Sequence, residues 1–287
     1  MTATDLSSGK GHTDENFPVA SHLIAPPYRA PIMAFYRVAR LADDVADHAQ
    51  ATPAQKLARL GEIEAALTGK GDASPEAVAL RRVLAERGLG WEHMLDLLEA
   101  FRRDVTKTRY ASWDELMDYC RYSAMPVGRF VLDVHGEDRS TWPASDKLCA
   151  ALQVINHLQD CAKDFHDLDR VYLPLDTLGA CGASVEMLGE GRGDPAMTRA
   201  IRVLADKTDA LLHGSRPFAG QIRDLRLALE VGAIQRLAES LTARLKARDP
   251  LSEETHHSRW EALGVGLLGV TRTIRERLSR QSAPRAA

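Results

Sequence analysis

The stretch from Gln153 to Asp169 limits what this chain can fold into more than any other. It reads Gln-Val-Ile-Asn-His-Leu-Gln-Asp-Cys-Ala-Lys-Asp-Phe-His-Asp-Leu-Asp. Asn156, Asp160 and Asp164 recur at four-residue steps. On an α-helix such positions stack along one face, and Gln153 extends the stripe by about a turn. Val154, Ile155, Leu158, Ala162 and Phe165 supply an apolar background. The spacing predicts one helix with a carboxylate and amide edge set among apolar neighbours.

Like charges four residues apart destabilise an isolated helix. Two readings account for them: a solvated outer face, or a shared hard cation. Mg²⁺ takes few protein carboxylates, keeps waters and completes its shell with phosphate oxygens. On this spacing alone the two readings stand level. A second cluster tips the balance toward metal. In Arg40-Leu41-Ala42-Asp43-Asp44-Val45-Ala46-Asp47, Asp43 and Asp47 are again four apart, with Arg40 and then Tyr36 on the turns before them. Two such helices facing across a cavity would hold several Mg²⁺ ions against one diphosphate, with Arg40 as a bidentate oxyanion clamp.

The rest of the chain also reads as helices. From 195 to 218 and from 221 to 248, apolar residues recur at three- and four-residue steps, as in bundle walls. No alternating strand pattern and no internal repeat is present. A hydrophobic content of 45% with only 6% aromatics suits a packed helical bundle. After a break at Pro26-Pro27, Pro31 is expected to start the first motif helix. Thr52 with Gln55, and Ser112 with Glu115, have capping-box spacing. Ser74-Pro75 opens a helix that Gly88 closes, and another runs from Trp91 to about Asp104. Pro126 should kink the helix carrying Tyr119, and Ser123, Ala124 and Gly128 around it would leave room for a ligand. Pro143 opens the helix of the second motif. No Pro/Gly/Ser-rich linker divides the 287 residues. One helical domain over 15–287 is therefore expected, behind a disordered polar segment, 1–14. The glycine-rich run at 189–193 follows no strand and is not a nucleotide loop.

The net charge of −3 gives no footing for nucleic acid. Cys120, Cys149, Cys161 and Cys181 show no zinc spacing and read as reduced thiols of a cytosolic protein. There is no signal peptide and no run of about 18 apolar residues, so no membrane span is expected. The tail from Trp260 to Ser279 joins an apolar stretch to a basic one. It fits weak contact with an anionic membrane surface, or a last bundle helix with a charged end, the commoner of the two.

Together these motifs resemble the head-to-head trans-isoprenyl diphosphate synthases, the squalene and phytoene synthase family. The resemblance rests on residues 40–47, on 153–164 and on Arg-Val-Tyr-Leu-Pro at 170–174. Three further pieces resemble the bacterial hydroxysqualene synthase branch of hopanoid pathways: Glu-Asn-Phe-Pro-Val-Ala-Ser at 15–21, Asp-Val-Thr-Lys-Thr-Arg-Tyr at 104–110 and Tyr-Cys-Arg-Tyr-Ser-Ala-Met-Pro-Val-Gly at 119–128. The resemblance implies an all-α, single-domain isoprenoid-synthase bundle around a central apolar cavity. It also implies Mg²⁺-dependent ionisation of presqualene diphosphate, rearrangement and capture of one water to give hydroxysqualene, with no NADPH. Prenyl diphosphate is then the substrate partner, and association with other squalene-pathway enzymes is expected. Asp43, Asp47, Asn156, Asp160 and Asp164 become the metal ligands, with Asp43, Asp160, Tyr119 and Tyr172 as the catalytic set. Asn16, Ser21, Arg40, Lys107, Arg109, Gln153 and Arg170 become substrate or diphosphate contacts. Plain alternatives stand beside several of these: a helix cap for Asn16, a helix-end ion pair for Asp104 with Lys107 and Arg109, and a core tyrosine for Tyr119. Met125 replaces the asparagine usual in the branch, which puts any water-placing role of that amide in doubt. Two rivals also fit: a condensing synthase joining two prenyl diphosphates, and a non-catalytic helical partner of a related synthase.

Overall fold

The computed structural model describes residues 24–282. Its first half is α1 (Pro26–Asp47), α2 (Pro53–Thr68), α3 (Pro75–Arg87), α4 (Glu92–Thr106), α5 (Trp113–Ser123) and α6 (Met125–Val134). The second half is α7 (Trp142–Gln159), α8 (Cys161–Leu168), α9 (Leu175–Cys181), α10 (Pro195–Ser215), α11 (Phe218–Gln221), α12 (Leu225–Ala247) and α13 (Arg259–Ser282). Among the described residues the sole strand-like pairing is an isolated parallel bridge between Arg109 and Val171.

The local signals act as their chemistry dictates. Thr52 and Gln55 form a reciprocal capping box at the start of α2, and Ser74 accepts the Ala77 N–H at the start of α3. Asp194 and Asp224 cap α10 and α12. Two expectations need correcting. The first motif helix begins at Pro26, not after Pro31, which lies inside it. Pro26 and Pro27 occupy the first turn, where a missing N–H costs nothing. The Pro27 carbonyl, which Pro31 cannot serve, accepts from the Arg87 guanidinium instead. At Ser112 the box is one-sided. The serine accepts the Glu115 N–H, but the Glu115 carboxylate turns to the Ala111 N–H and to Lys107.

Packing divides the core into two apolar clusters. One joins α1 to α4 through Val38, Ala42, Leu60, Ile63, Leu80 and Leu98, with Phe130 and Val134 of α6. The other joins α5, α7, α10 and α12 through Tyr119, Leu148, Ile155, Ile201, Leu204 and Leu241. The two motifs belong to different clusters, so the seam between them is where the acid edges meet. Outside this body α13 lies on α12 by its smallest residues. A Cβ on Gly269 would come within 2.2 Å of the Gly232 carbonyl oxygen and 2.8 Å of Ala233 Cα. Backbone cannot give way as a side chain can. Gly269→Leu is therefore expected to lift α13 and cost about 1–3 kcal/mol, read as a lower Tm. An unchanged Tm would contradict the close approach.

Candidate active site

A cavity of about 310 Å³ opens at the seam. Tyr36, Ala39, Arg40, Asp43 and Asp47 of α1 form one wall. Leu97, Ala100, Phe101 and Asp104 come from α4, and Tyr119 and Ser123 from α5. Gln153, Asn156, His157, Asp160, Asp164 and Leu168 form the wall opposite, with Arg170 and Tyr172 beside them. Acids stand on both facing walls, and most of the apolar lining comes from α4.

The stripe expected on one helix is carried by two. α7 ends at Gln159 and α8 begins at Cys161, with Asp160 between them at φ −99° and ψ 8°. That bridge-region backbone recurs at active sites. Asp160 N–H still donates to the Asn156 carbonyl at 2.9 Å, and Asp164 N–H to the Asp160 carbonyl at 2.8 Å. The one-turn spacing thus survives the break, and all three side chains line the cavity.

Asp104 is the centre of the polar floor. It is 7% exposed. Tyr119 donates its hydroxyl to one carboxylate oxygen at 2.8 Å, and Tyr172 to the other at 3.0 Å. Arg170 donates from Nε to the Asp104 carbonyl at 3.1 Å, from Nη1 to Asp47 at 2.6 Å and from Nη2 to the Ala46 carbonyl at 3.2 Å. Arg170 thereby ties the strand-like piece 170–173 to both α1 and α4. That piece is held in place by the Val171 N–H donating to the Thr108 carbonyl at 2.9 Å. Arg40 is fixed in turn by Asp43 at 2.9 Å and Asp44 at 2.8 Å.

Burial, then the neighbouring Asp47 carboxylate, pushes the Asp43 carboxyl up to about 7, against the pull of Arg40. Burial and Asp160 push Asp164 up to about 7 as well. Asp104 rises to about 6, chiefly by burial, with Arg170 and the two tyrosines opposing. The lining sets five aspartates, Asp43, Asp47, Asp104, Asp160 and Asp164, against two arginines, Arg40 and Arg170. Among the described residues no three or more acidic, His or Cys side chains are grouped so as to hold a metal ion by themselves. Acids on facing walls, in excess of cations, suit a hard ion that keeps waters and shares its shell with a phosphate ligand. The residues fit Mg²⁺ on that ground.

Lys107 and Arg109 are not brought to the cavity. Lys107 pairs with Glu115 and covers the Tyr110 ring. Arg109 bonds Asp169 and the Thr108 carbonyl. Both match the helix-end ion-pair reading. Gln153 lines the cavity in contact with His157 at 3.1 Å. Asn16 and Ser21 lie outside the described residues. Ala124 separates α5 from α6 where Pro126 foretold a kink. Gly128, however, serves helix packing and not the ligand space: a Cβ there would strike Ser145 and Cys149 of α7. Met125 does not line the cavity. Sequence reasoning missed His157, which stacks on Tyr172 with ring centroids 3.6 Å apart. Burial, then Arg170, drives its ring down to about 3, so it stays neutral. Its position one turn below Gln153 was the available signal.

A helical bundle with facing aspartate edges over a seam cavity is the architecture of one enzyme class. The squalene/phytoene synthase family model matches residues 10–261, and the chain belongs to that family. It is 56% identical over 255 residues to the hydroxysqualene synthase of Rhodopseudomonas palustris, covering 89% of this chain and 87% of that one. The hydroxysqualene synthase of Sinorhizobium fredii is 54% identical over 271 residues, covering 92% and 93%. The crystal structure of squalene synthase HpnC from Alicyclobacillus acidocaldarius superposes with a TM-score of 0.71 at 33% identity, over 80% of this chain and 87% of that one.

Proposed function

We propose that this chain ionises presqualene diphosphate, lets the cation rearrange and captures one water, releasing hydroxysqualene and diphosphate as a carbon–oxygen lyase. The observation that carries the reading is the seam cavity itself. It sets Asp43 and Asp47 against Asn156, Asp160 and Asp164, with Arg40 and Arg170 between the acids and an apolar side beyond. The similarity to two hydroxysqualene synthases supports the choice of substrate.

The five acid and amide side chains would hold Mg²⁺, which when bound would neutralise the diphosphate and improve it as a leaving group. Arg40 and Arg170 present guanidiniums already oriented by carboxylates and carbonyls, so little ordering cost remains when they meet phosphate oxygens. Tyr119 and Tyr172 donate hydroxyl hydrogen bonds to Asp104 and line the cavity with aromatic carbon. An aromatic face attracts a cation. His157, held neutral, adds no repelling charge beside it. Leu97, Ala100 and Phe101 line the side where a prenyl chain would exclude bulk water. The reading includes work against a membrane face, since substrate and product both carry long hydrocarbon chains. Among the described residues no helix is long and apolar enough to cross a membrane.

The test is product analysis with presqualene diphosphate, with and without NADPH. Hydroxysqualene is expected in both, with activity lost to EDTA and restored by Mg²⁺. Squalene formed only with NADPH, or turnover only of smaller prenyl diphosphates, would overturn the assignment in favour of a reducing or condensing synthase.

A further inference from the structure

The helix α13 is packed with its sides exchanged. Its face toward α12 carries Gly269 and Thr273, both buried. Its opposite face carries Trp260, Leu263, Leu267, Leu268, Ile274 and Leu278, all exposed, Trp260 at 82% and Leu278 at 58%. At about 100° per residue these six fall within one broad sector of the wheel, running about 27 Å along the axis. Small exposed apolar residues are ordinary, but a continuous stripe of this size marks a surface that meets something.

The charges around the stripe say what. Arg259 and Arg275 are exposed, and neither is paired among the described residues. The nearby acids are already occupied: Glu261 by Arg244 at 2.7 Å, and Glu276 by Arg272 at 2.8 Å. Uncompensated positive charge thus stands just before the stripe, at Arg259, and within its arc near the C-terminal end, at Arg275. A second copy docked on this face would bring the same arginines against each other, a repulsive arrangement. An anionic lipid surface meets both needs. Its acyl boundary takes the leucines, its headgroups take the arginines, and the interface suits the Trp260 ring.

We propose that α13 is a docking surface for an anionic bilayer, lying in the plane of one leaflet with its Trp260–Leu278 stripe inserted at the headgroup boundary. The assignment stands on the exposed stripe and its arginines. It adds a named surface to the membrane-face reading above, and it does not depend on which prenyl diphosphate the cavity accepts.

The full chain is to be sedimented with vesicles of phosphatidylcholine alone and with phosphatidylglycerol added. Strong binding is expected only with phosphatidylglycerol, weakening as salt rises. Arg275→Gln should lower that binding about fivefold, as expected for one arginine at an anionic surface. The triple change Leu263→Gln, Leu267→Gln and Leu268→Gln should abolish it, leaving the melting curve and Mg²⁺-dependent diphosphate release in detergent unchanged. No binding of the unmodified chain to the anionic vesicles would overturn the proposal. Binding that survives the triple change would keep a membrane contact but remove α13 from it. A concentration-dependent dimer in light scattering that the triple change dissociates, without vesicle binding, would assign the stripe to a second copy. None of these outcomes bears on product identity, which the presqualene diphosphate assay decides separately.

Discussion

Asp43→Asn and Asp160→Asn each lower Mg²⁺-dependent diphosphate release about a thousandfold, the scale of losing a main electrostatic group at a developing anion. The two residues stand on opposite walls, so equal losses from both would show that the walls act as one site. Near-normal turnover in either variant would refute its place there. The same Asp43 change has a second, opposite effect. Burial and Asp47 raise the Asp43 carboxyl from 3.8 to about 7 in the folded chain. An acid so raised stabilises the fold while protonated. That contribution is whole below about pH 4 and has gone above about pH 7. The metal-free protein therefore carries a penalty at pH 8 that asparagine lacks. The Asp43 side chain is 39% exposed to the open cavity, and solvent screening reduces the gain to about 1 kcal/mol. Asp43→Asn should then melt a few degrees higher than the parent at pH 8 without metal, about 2 °C, and show no advantage at pH 4. Mg²⁺ affinity of the parent should fall as pH drops below about 7, because protons compete for Asp43 and Asp164. A melting difference that grows toward acid would reverse the sign and reject the account.

Arg170→Leu is the change expected to damage stability most. Its guanidinium is 8% exposed and serves one carboxylate and two carbonyls on two different helices. Removing it takes a donor from both carbonyls, leaving that of Ala46 to Lys56, and deprives the Asp104 carboxylate of its main opposing charge. A loss of about 3 kcal/mol follows, or a Tm lower by about 6 °C, together with loss of diphosphate release. Arg170→Lys keeps the charge but not the planar fork, and should recover less than half of the lost Tm. Full recovery by lysine would mean that charge alone matters, contrary to the three separate bonds.

Much of this architecture was legible because it is written in local chemistry. Thr52 with Gln55, Ser74 before Pro75 and the four-residue acid spacing each need only neighbours along the chain. What escaped depends on partners far away. Pro31 is admitted to α1 because Arg87 serves the carbonyl that proline leaves bare. Lys107 and Arg109 carry the right charge for phosphate, yet Glu115 and Asp169 hold them elsewhere. The break at Asp160 left the stripe intact, and for that reason the sequence carried no sign of it. His157 looked like background until Tyr172, fifteen residues on, was found stacked against it.

The seam between the two apolar clusters has one more consequence. A substrate with a hydrocarbon tail of many carbons must be threaded into the protein without dissolving it. A slot cut through a single continuous core would require tightly interlocked aliphatic side chains to part. A slot between two clusters, which share α4 and α6 but are also tied by polar clasps such as Arg170, asks chiefly that those clasps loosen and re-form. Hydrogen exchange should accordingly find the amides around the clasp opening at lower cost than those buried within either half. The gate for an oily guest is then tied by salt and hydrogen bonds, whose loss on opening the seated guest must offset.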